Sequence, residues 1–280
     1  MGSSNIRVVS SLQDADEAFD VTDRSVMEAL RVAEDRHFWH RSRNDWIAGR
    51  LQQLGLRPGA RVVELGCGGG CVTAHLQRQG YEVVGIDGHR GLLEVAARRA
   101  PGAQFLLHDL RRGVGELPER GFDACGLFDV IEHLDDPVSV VGQAGGLVRD
   151  GGLVVGTVPA MMGLWSRIDE QSGHRRRFER DELGRLLSSV PGLRLQQVAP
   201  FNRVLVPMLW LQRRWVTRRG RSEASQANLA LPPRAINEGL VRVLRLERRA
   251  QRWLERTSLP GASLWFALRV VPRGGVEPPT

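Results

Sequence analysis

Beyond Arg57-Pro58-Gly59 the chain alternates short apolar runs with stretches of helical period. The runs are RVVEL at 61–65, YEVVGID at 81–87, QFLLHD at 104–109, FDACGLFD at 122–129 and GLVVGTV at 152–158. Alternation of this kind predicts a parallel sheet joined by crossover helices. Two later runs, LRLQQVAPF at 193–201 and SLWFALRVV at 263–271, predict a terminal pair of strands, the last one antiparallel. The expected fold is therefore α/β, with a mostly parallel sheet of seven strands.

Residues 12–57 carry helical spacing instead. Asp23 or Ser25 suits a helix start, and Phe38, Trp39, Ile47, Leu51 and Leu54 supply the apolar positions that follow. The chain thus divides into an N-terminal helical cap or lid (1–57), a sheet core (58–202), a helical insertion (203–260), the last core strand (261–272) and a tail (273–280). The closing PRGGVEPPT predicts disorder. Within the insertion, VLVPMLWLQRRWVTRRGR and INEGLVRVLRLERRAQRWLERT read as helices joined by a polar linker containing Pro232-Pro233. In the second, Ile236, Leu240, Val243, Leu244, Ala250, Trp253 and Leu254 are expected on one apolar stripe, with arginines on the rest.

Composition narrows the classes. With 42% hydrophobic and 25% charged residues over 280 positions, the chain can bury a sizeable core, which excludes wholesale disorder. Three cysteines, Cys67, Cys71 and Cys125, exclude a disulfide-stapled mini-protein and suit a reducing compartment. No apolar run approaches the roughly 18–20 residues of a membrane span, and MGSSNIRVVSS lacks the parts of a signal peptide, so a soluble, cytoplasmic protein is expected. The formal charge of +7 is concentrated: residues 203–256 hold 13 arginines against Glu223, Glu238, Glu247 and Glu255, a local +9. Any claim about acidic partners belongs to that segment alone.

The most informative stretch is Glu64-Leu-Gly66-Cys-Gly68-Gly69-Gly70, an apolar strand running through a glycine turn into a helix. Such a turn lets backbone approach a ligand where any Cβ would intrude. Asp87 ends the second strand, where a carboxylate accepts hydrogen bonds from a ribose diol. Asp109-Leu110 ends the third and suits an adenine, the acid taking its exocyclic amine and the leucine packing on the ring. A nicotinamide oxidoreductase shares part of this pattern. Its G-x-G-x-x-G fingerprint, however, needs glycine or alanine at position 71, where Cys71 stands, and has an apolar residue in place of Glu64.

Over roughly residues 34–160 the chain resembles the class I S-adenosylmethionine-dependent methyltransferases. E-x-G-x-G-x-G at 64–70, Asp87 and Asp109 match that family's cofactor motifs. FDACGLFDVIEHLDDP looks like its fourth-strand motif followed by the turn of the ubiquinone-biosynthesis-like branch. HFWHRSRN at 37–44 and GHRRRF at 173–178 resemble a bacterial subgroup acting on natural products, sugars or lipids. The resemblance implies a Rossmann-like fold with S-adenosylmethionine as cofactor and S-adenosylhomocysteine as product. Its implied cofactor residues are Trp39, Arg43, Glu64, Gly66, Gly68, Gly70, Asp87, Gly88, Asp109, Leu110 and Phe128. The implied activity is methylation, foremost of an oxygen on a small-molecule, sugar or lipid-linked metabolite. N- or C-methylation and a non-methylating enzyme on the same cofactor are the alternatives.

Methyl transfer from a sulfonium needs an aligned nucleophile and exclusion of water. An oxygen nucleophile also needs its proton taken, for which His133 and His174 are the candidate bases. A second reading makes Asp129, Glu132, His133 and His174 a divalent-metal set, against the favoured reading without metal. His37, Phe38, Trp39, His40 and Arg43 read as a lid, with Trp39 beside the adenosine and Arg43 on the methionine carboxylate, or as a helix pinned to the core by Phe38 and Trp39. The basic insertion is expected to serve a lipid-linked or small-molecule acceptor or an anionic membrane surface. Specific nucleic-acid binding is not expected, because Trp253 shares the apolar stripe and Trp210 and Trp215 lie in an apolar-rich helix.

Overall fold

The computed structural model describes residues 5–8, 31–115, 117–211 and 231–272. Eight strands form one sheet: β1 (Ile6–Val8), β2 (Arg61–Leu65), β3 (Glu82–Asp87), β4 (Gln104–Leu107), β5 (Phe122–Phe128), β6 (Val148–Pro159), β7 (Leu193–Phe201) and β8 (Ser263–Val270). Their order is β1-β4-β3-β2-β5-β6-β8-β7, and β8 alone runs antiparallel to its neighbours. The seven expected strands are all present. The extra edge strand β1, three residues paired from Ile6↔Phe105 to Val8↔Leu107, takes part of the expected helical cap into the sheet. Three residues carry no readable period. They are positioned by distant partners, the Phe105 N–H donating to the Asn5 carbonyl at 2.9 Å and Asn5 Nδ2 to the Ala103 carbonyl at 2.9 Å.

The described helices include α1 (Phe38–Gln53), α2 (Cys71–Arg78), α3 (Arg90–Arg99), α4 (Pro137–Gly145), α5 (Arg167–Gln171), α6 (Arg180–Ser188), α7 (Arg234–Arg249) and the short α8 (Gln251–Leu254). Successive strand residues point to opposite faces. Val63, Leu65, Val84, Ile86 and Cys125 enter a core with Val141 of α4 and Leu183 of α6. Val62, Val83, Phe105 and Ala124 enter another with Leu51 of α1, Leu76 of α2 and Leu93 of α3. A fully buried leucine such as Leu51 stabilises the fold by about 2–3 kcal/mol. With both faces covered, the strands read as apolar runs, which is why the sequence pattern finds them.

After β2 the chain winds outward through β3 and β4, then returns to lay β5 on the other side of β2. That reversal opens a crevice at the carboxyl ends of β2 and β5, where ligands bind in sheets of this kind. The loops after β2, β3, β4 and β5 all meet there.

In the insertion, 206–211 and α7 are helical, and no described residue of 203–260 joins the sheet. The buried side of α7 differs from the expected stripe. It consists of Asn237, Val241, Leu244 and Glu247, while Ile236, Val243 and Leu246 are exposed and Trp253, just beyond, is 65% exposed. Polar anchoring sets this rotation. Asn237 Oδ1 accepts the Phe38 N–H at 2.9 Å and its Nδ2 donates to the Arg36 carbonyl at 2.9 Å. Glu247 accepts the N–H groups of Arg203 and Val204 at 2.8 and 3.1 Å. Turning an apolar residue to those positions would orphan these backbone groups at a cost of about 1–3 kcal/mol each. The exposed Trp253 beside arginines also removes one ground on which nucleic acid was set aside. Among the described residues no helix is long and apolar enough to cross a membrane. The expectations at Asp23, Ser25 and Trp215, for most of the linker and for the tail at 273–280 fall outside the described residues.

Candidate functional site

The glycine turn after β2 has the shape its sequence demands. Gly66, Gly68 and Gly70 sit at φ +72°, +52° and +73°, which side chains rarely adopt. A Cβ on Gly66 would stand 2.7 Å from Val130 Cγ2, and one on Gly70 2.7 Å from Ala96 Cβ, so both are packed from behind. A Cβ on Gly68 would meet nothing within 4 Å, which leaves that backbone open to a ligand. The turn is tied to β3: Gly66 and Cys67 donate to the Ile86 carbonyl at 2.8 and 3.0 Å, and Gly68 N–H donates to Asp87 Oδ2 at 2.8 Å. Asp87 Oδ1 meets the His89 N–H at 2.9 Å and its Nδ1 at 3.0 Å, and this contact raises the His89 imidazole above its ordinary value despite burial. Asp87 therefore shapes the turn from the position expected of a diol acceptor. Gly88 lies beside the loop after β4, where a Cβ would stand at ordinary contact distance, 3.7 Å, from Asp109 Cα.

The other expected cofactor residues divide. Glu64 lies beneath the turn, 2% exposed, and accepts the Thr73 hydroxyl at 2.5 Å. Burial pushes its carboxyl up to about 7, against the lowering effect of Thr73. It braces α2 against β2 from within. Asp109 stands after β4 and accepts the Arg111 backbone N–H at 2.9 Å and its Nε at 3.0 Å. Burial works to raise it, but these Arg111 contacts prevail and hold it below the usual carboxylate range. Leu110 beside it is half-buried against the core. Phe128 is buried, its ring so close under Gly126 that a Cβ there would be 2.4 Å away, which makes it core wall. Trp39, half-buried, packs with Phe38, Leu205, Val241 and Leu244, which pins α1 to the insertion, one of the two roles expected of it.

Arg43 reaches the crevice from α1. Its Nη1 lies 2.5 Å from Asp129 Oδ2, and burial, which alone would lower its basicity, is outweighed by that carboxylate. Asp129 is a non-glycine residue at φ +56° directly after β5, held by its N–H to the Thr157 carbonyl at 2.9 Å and by the Thr157 hydroxyl at 3.0 Å. Such strained backbone clusters at functional positions. Asn44, one residue on, donates to the Cys71 carbonyl at 3.3 Å, docking α1 on the glycine turn. His40, on the same helix, is pushed well below its ordinary value by burial and then by Arg43.

The turn after β5 carries the remaining chemistry. One nitrogen each of His133 and His174 and one oxygen of Glu132 lie within 4.8 Å of one another. Asp129, expected as a fourth member, is drawn away by Arg43 and Thr157. The segment 173–178 is what brings His174 across: the Arg175 N–H donates to the Glu132 carbonyl at 3.0 Å, and Arg176 to the Leu134 carbonyl at 3.1 Å. His133 Nδ1 donates to the Gly173 carbonyl at 3.1 Å, and burial lowers its imidazole below 6.5, keeping it neutral near pH 7. Burial and then Asp129 raise Glu132 well above the carboxylate range.

Asp169 of α5 is a residue the sequence reading missed. Fully buried, it faces His174 Nδ1 at 3.0 Å and is itself held by Arg177 Nε at 2.7 Å. The helix-start spacing Ser166-x-x-Asp169, which forms a capping box, was the available signal. A groove of about 1020 Å³ lined by Arg180, Arg185, Gln197 and Glu255 lies apart and includes none of these residues.

Residues 38–197 match a family described as a methyltransferase domain. The ubiquinone biosynthesis O-methyltransferase of Alkalilimnicola ehrlichii is 36% identical over 116 residues, covering 40% of this chain and 46% of that protein. The chain thus spans about half the length of the curated relatives it matches. Among solved structures, phosphoethanolamine N-methyltransferase 2 of Haemonchus contortus, in complex with S-adenosyl-L-methionine, superposes with TM-score 0.55 at 16% identity. That match covers 95% of this chain and 61% of that one. The [4+2]-cyclase SpnF superposes with TM-score 0.54 at 14% identity over 84% of each chain. Likenesses this remote speak for the fold alone.

Proposed function

Because the chain belongs to the class I S-adenosylmethionine-dependent methyltransferases, we propose that it methylates a hydroxyl oxygen of a small-molecule acceptor beside Glu132, His133 and His174. The observation that carries this reading is the pair of imidazoles, His133 on the turn after β5 and His174 brought against it by the segment 173–178, at the same carboxyl edge as the open glycine turn. The residues fit the cofactor: the bare face of Gly68 admits it, with Asp87 and Asp109 at the two following strand ends. When bound, S-adenosylmethionine supplies a methyl carried on a positively charged sulfur. The chain's own part is to position the acceptor oxygen in line, exclude water and take the hydroxyl proton. A neutral imidazole suits the last step. His133 is held neutral by burial, and His174 is oriented by Asp169 as the third member of a relay orients a base.

The names of the relatives favour oxygen over nitrogen or carbon, and a lipid-linked or sugar acceptor is the finer version of this reading. The exposed side of α7 favours the lipid-linked form. Ile236, Val243 and Leu246 are exposed aliphatic side chains beside Arg242, Arg245 and Arg249, with the exposed indole of Trp253 just beyond, a mixture that complements an anionic bilayer surface. The test of activity is release of S-adenosylhomocysteine with matched acceptors: a catechol, a phenol and an alcohol against the corresponding amines. Turnover confined to the hydroxyl compounds is expected. Turnover confined to amines overturns the proposal.

A further inference from the structure

Arg203 stands just after β7 and is only 6% exposed. Its Nε donates to the Leu259 carbonyl at 3.1 Å, but both Nη atoms are buried without a hydrogen-bond partner among the described residues. A buried guanidinium fork with no acceptor is costly, and folded chains rarely leave one so. Burial works first against its charge, Glu247 and Glu255 favour it, and Arg180 and Arg50 oppose it. The two acids are already committed. Glu247 accepts the backbone N–H groups of Arg203 and Val204, and Glu255 accepts from Arg50, from Gln251 at 2.8 Å and from Gln197 at 3.4 Å.

Two of the residues that act on Arg203, Arg180 and Glu255, line the groove of about 1020 Å³ formed by α6 and β7. Arg180 and Arg185 are exposed there, and with Glu255 engaged Asp181 is the remaining acid of the lining. β7 adds an apolar surface of Leu195, Val198 and Pro200. Although β7 is the edge of the sheet, the groove does not suit an added strand. Pro200 offers no N–H, and the register shift between Leu195 and Gln197 breaks the ladder that a partner strand would follow. A space of this volume takes a small organic molecule rather than a bare ion.

From these observations we propose that the groove binds a small phosphate ester, its phosphate held by the Arg203 fork together with Arg180 and its carbon body on the apolar surface of β7. Arginine forks match the oxygens of such a group in pairs. A phosphate monoester brings nearly two charges and three acceptor oxygens, which answers several arginines better than a carboxylate does. Lying between Arg203 and Arg180, it also relieves the repulsion between them. The groove includes neither the glycine turn nor His133 and His174, so the proposal stands or falls apart from the methylation reading.

The test is calorimetric titration of the full chain, saturated beforehand with S-adenosylhomocysteine, with glycerol 3-phosphate, phenyl phosphate, inorganic phosphate and benzoate. One saturable site is expected, tighter for the two esters than for inorganic phosphate and weakest for benzoate. Arg203→Gln should weaken ester binding by about 10–100-fold, as loss of a charge-assisted hydrogen bond. Arg203→Lys keeps the charge without the fork and should cost less, and the exposed Arg180→Gln should cost about two- to fivefold. Circular dichroism and unchanged affinity for S-adenosylhomocysteine check that the Arg203 variants are folded. The double variant Arg180→Gln, Arg185→Gln, altered only at exposed positions, provides an independent removal. Absence of a saturable site for either ester overturns the proposal. So does an order with inorganic phosphate or benzoate ahead of the esters, or ester binding that survives Arg203→Gln or the double variant undiminished.

Discussion

Replacing Glu64 by glutamine isolates the cost of keeping a carboxyl beneath the glycine turn. Burial raises this group from 4.5 to about 7 in the folded chain. The folded state therefore binds more protons than the unfolded state between those limits. Its contribution to stability is complete below about pH 4.5 and is lost as pH rises through about 7. At ~1.4 kcal/mol per pH unit the whole interval amounts to about 3 kcal/mol. In Glu64→Gln the new amide still accepts the Thr73 hydroxyl and does not titrate. Urea unfolding of both proteins at about pH 5, 6, 7 and 8 reads the effect as a change in stability difference. Between the extremes that difference should swing toward the variant by about 2–3 kcal/mol, most of it below pH 7. A difference that stays flat across the series refutes the assignment of Glu64 as a buried acid whose charge the fold opposes.

Gly70→Ala places a side chain at φ +73° and 2.7 Å from Ala96, so a loss of about 2–5 kcal/mol in thermal or urea unfolding is expected. Gly68→Ala meets open space and should lose only about 1–2 kcal/mol of stability, yet calorimetry should show its S-adenosylhomocysteine affinity falling by more than tenfold. For His133, neutral above its depressed value, kcat/KM should stay level down to histidine's ordinary 6.5 and fall only below it, as a pH-rate profile would read. Co-sedimentation with vesicles of anionic lipid at about 0.15 M salt should retain the wild type and lose a variant in which Ile236, Leu246 and Trp253 are all serine. Equal retention of both proteins removes α7 as the docking face, and sequence-preferring nucleic-acid binding at this salt redirects its arginines to phosphate.

The sheet was legible because β2 to β6 are buried on both faces, and their apolar runs mark strand positions to within a few residues. β1 was not, since Ile6–Val8 is defined by its partner β4 and carries no period of its own. The orientation of α7 escaped periodicity for another reason. Asn237 and Glu247 are polar residues buried by the backbone groups they satisfy, and a hydrophobic stripe has no way to show that. At the site, residue type and spacing picked out the glycine turn, the strand-end acids and Glu132, His133 and His174 as candidates, and the fold brings them to one edge of the sheet. Pairing decided the rest: Arg43 claims Asp129, Trp39 joins the insertion, and Asp169 reaches His174 across a short helix turn.

The account turns on whether the imidazoles after β5 serve transfer to oxygen. The direct measurement uses S-adenosylmethionine carrying a ¹³C-methyl group and a hydroxyl acceptor. Carbon NMR of the product identifies the methylated atom, and the kinetics of wild type are set against those of the His133→Ala, His174→Ala double variant. The account predicts a label on oxygen, with kcat lost by at least about a hundredfold in the double variant while affinity for S-adenosylhomocysteine holds. A label on nitrogen or carbon, or undiminished turnover without both histidines, contradicts it.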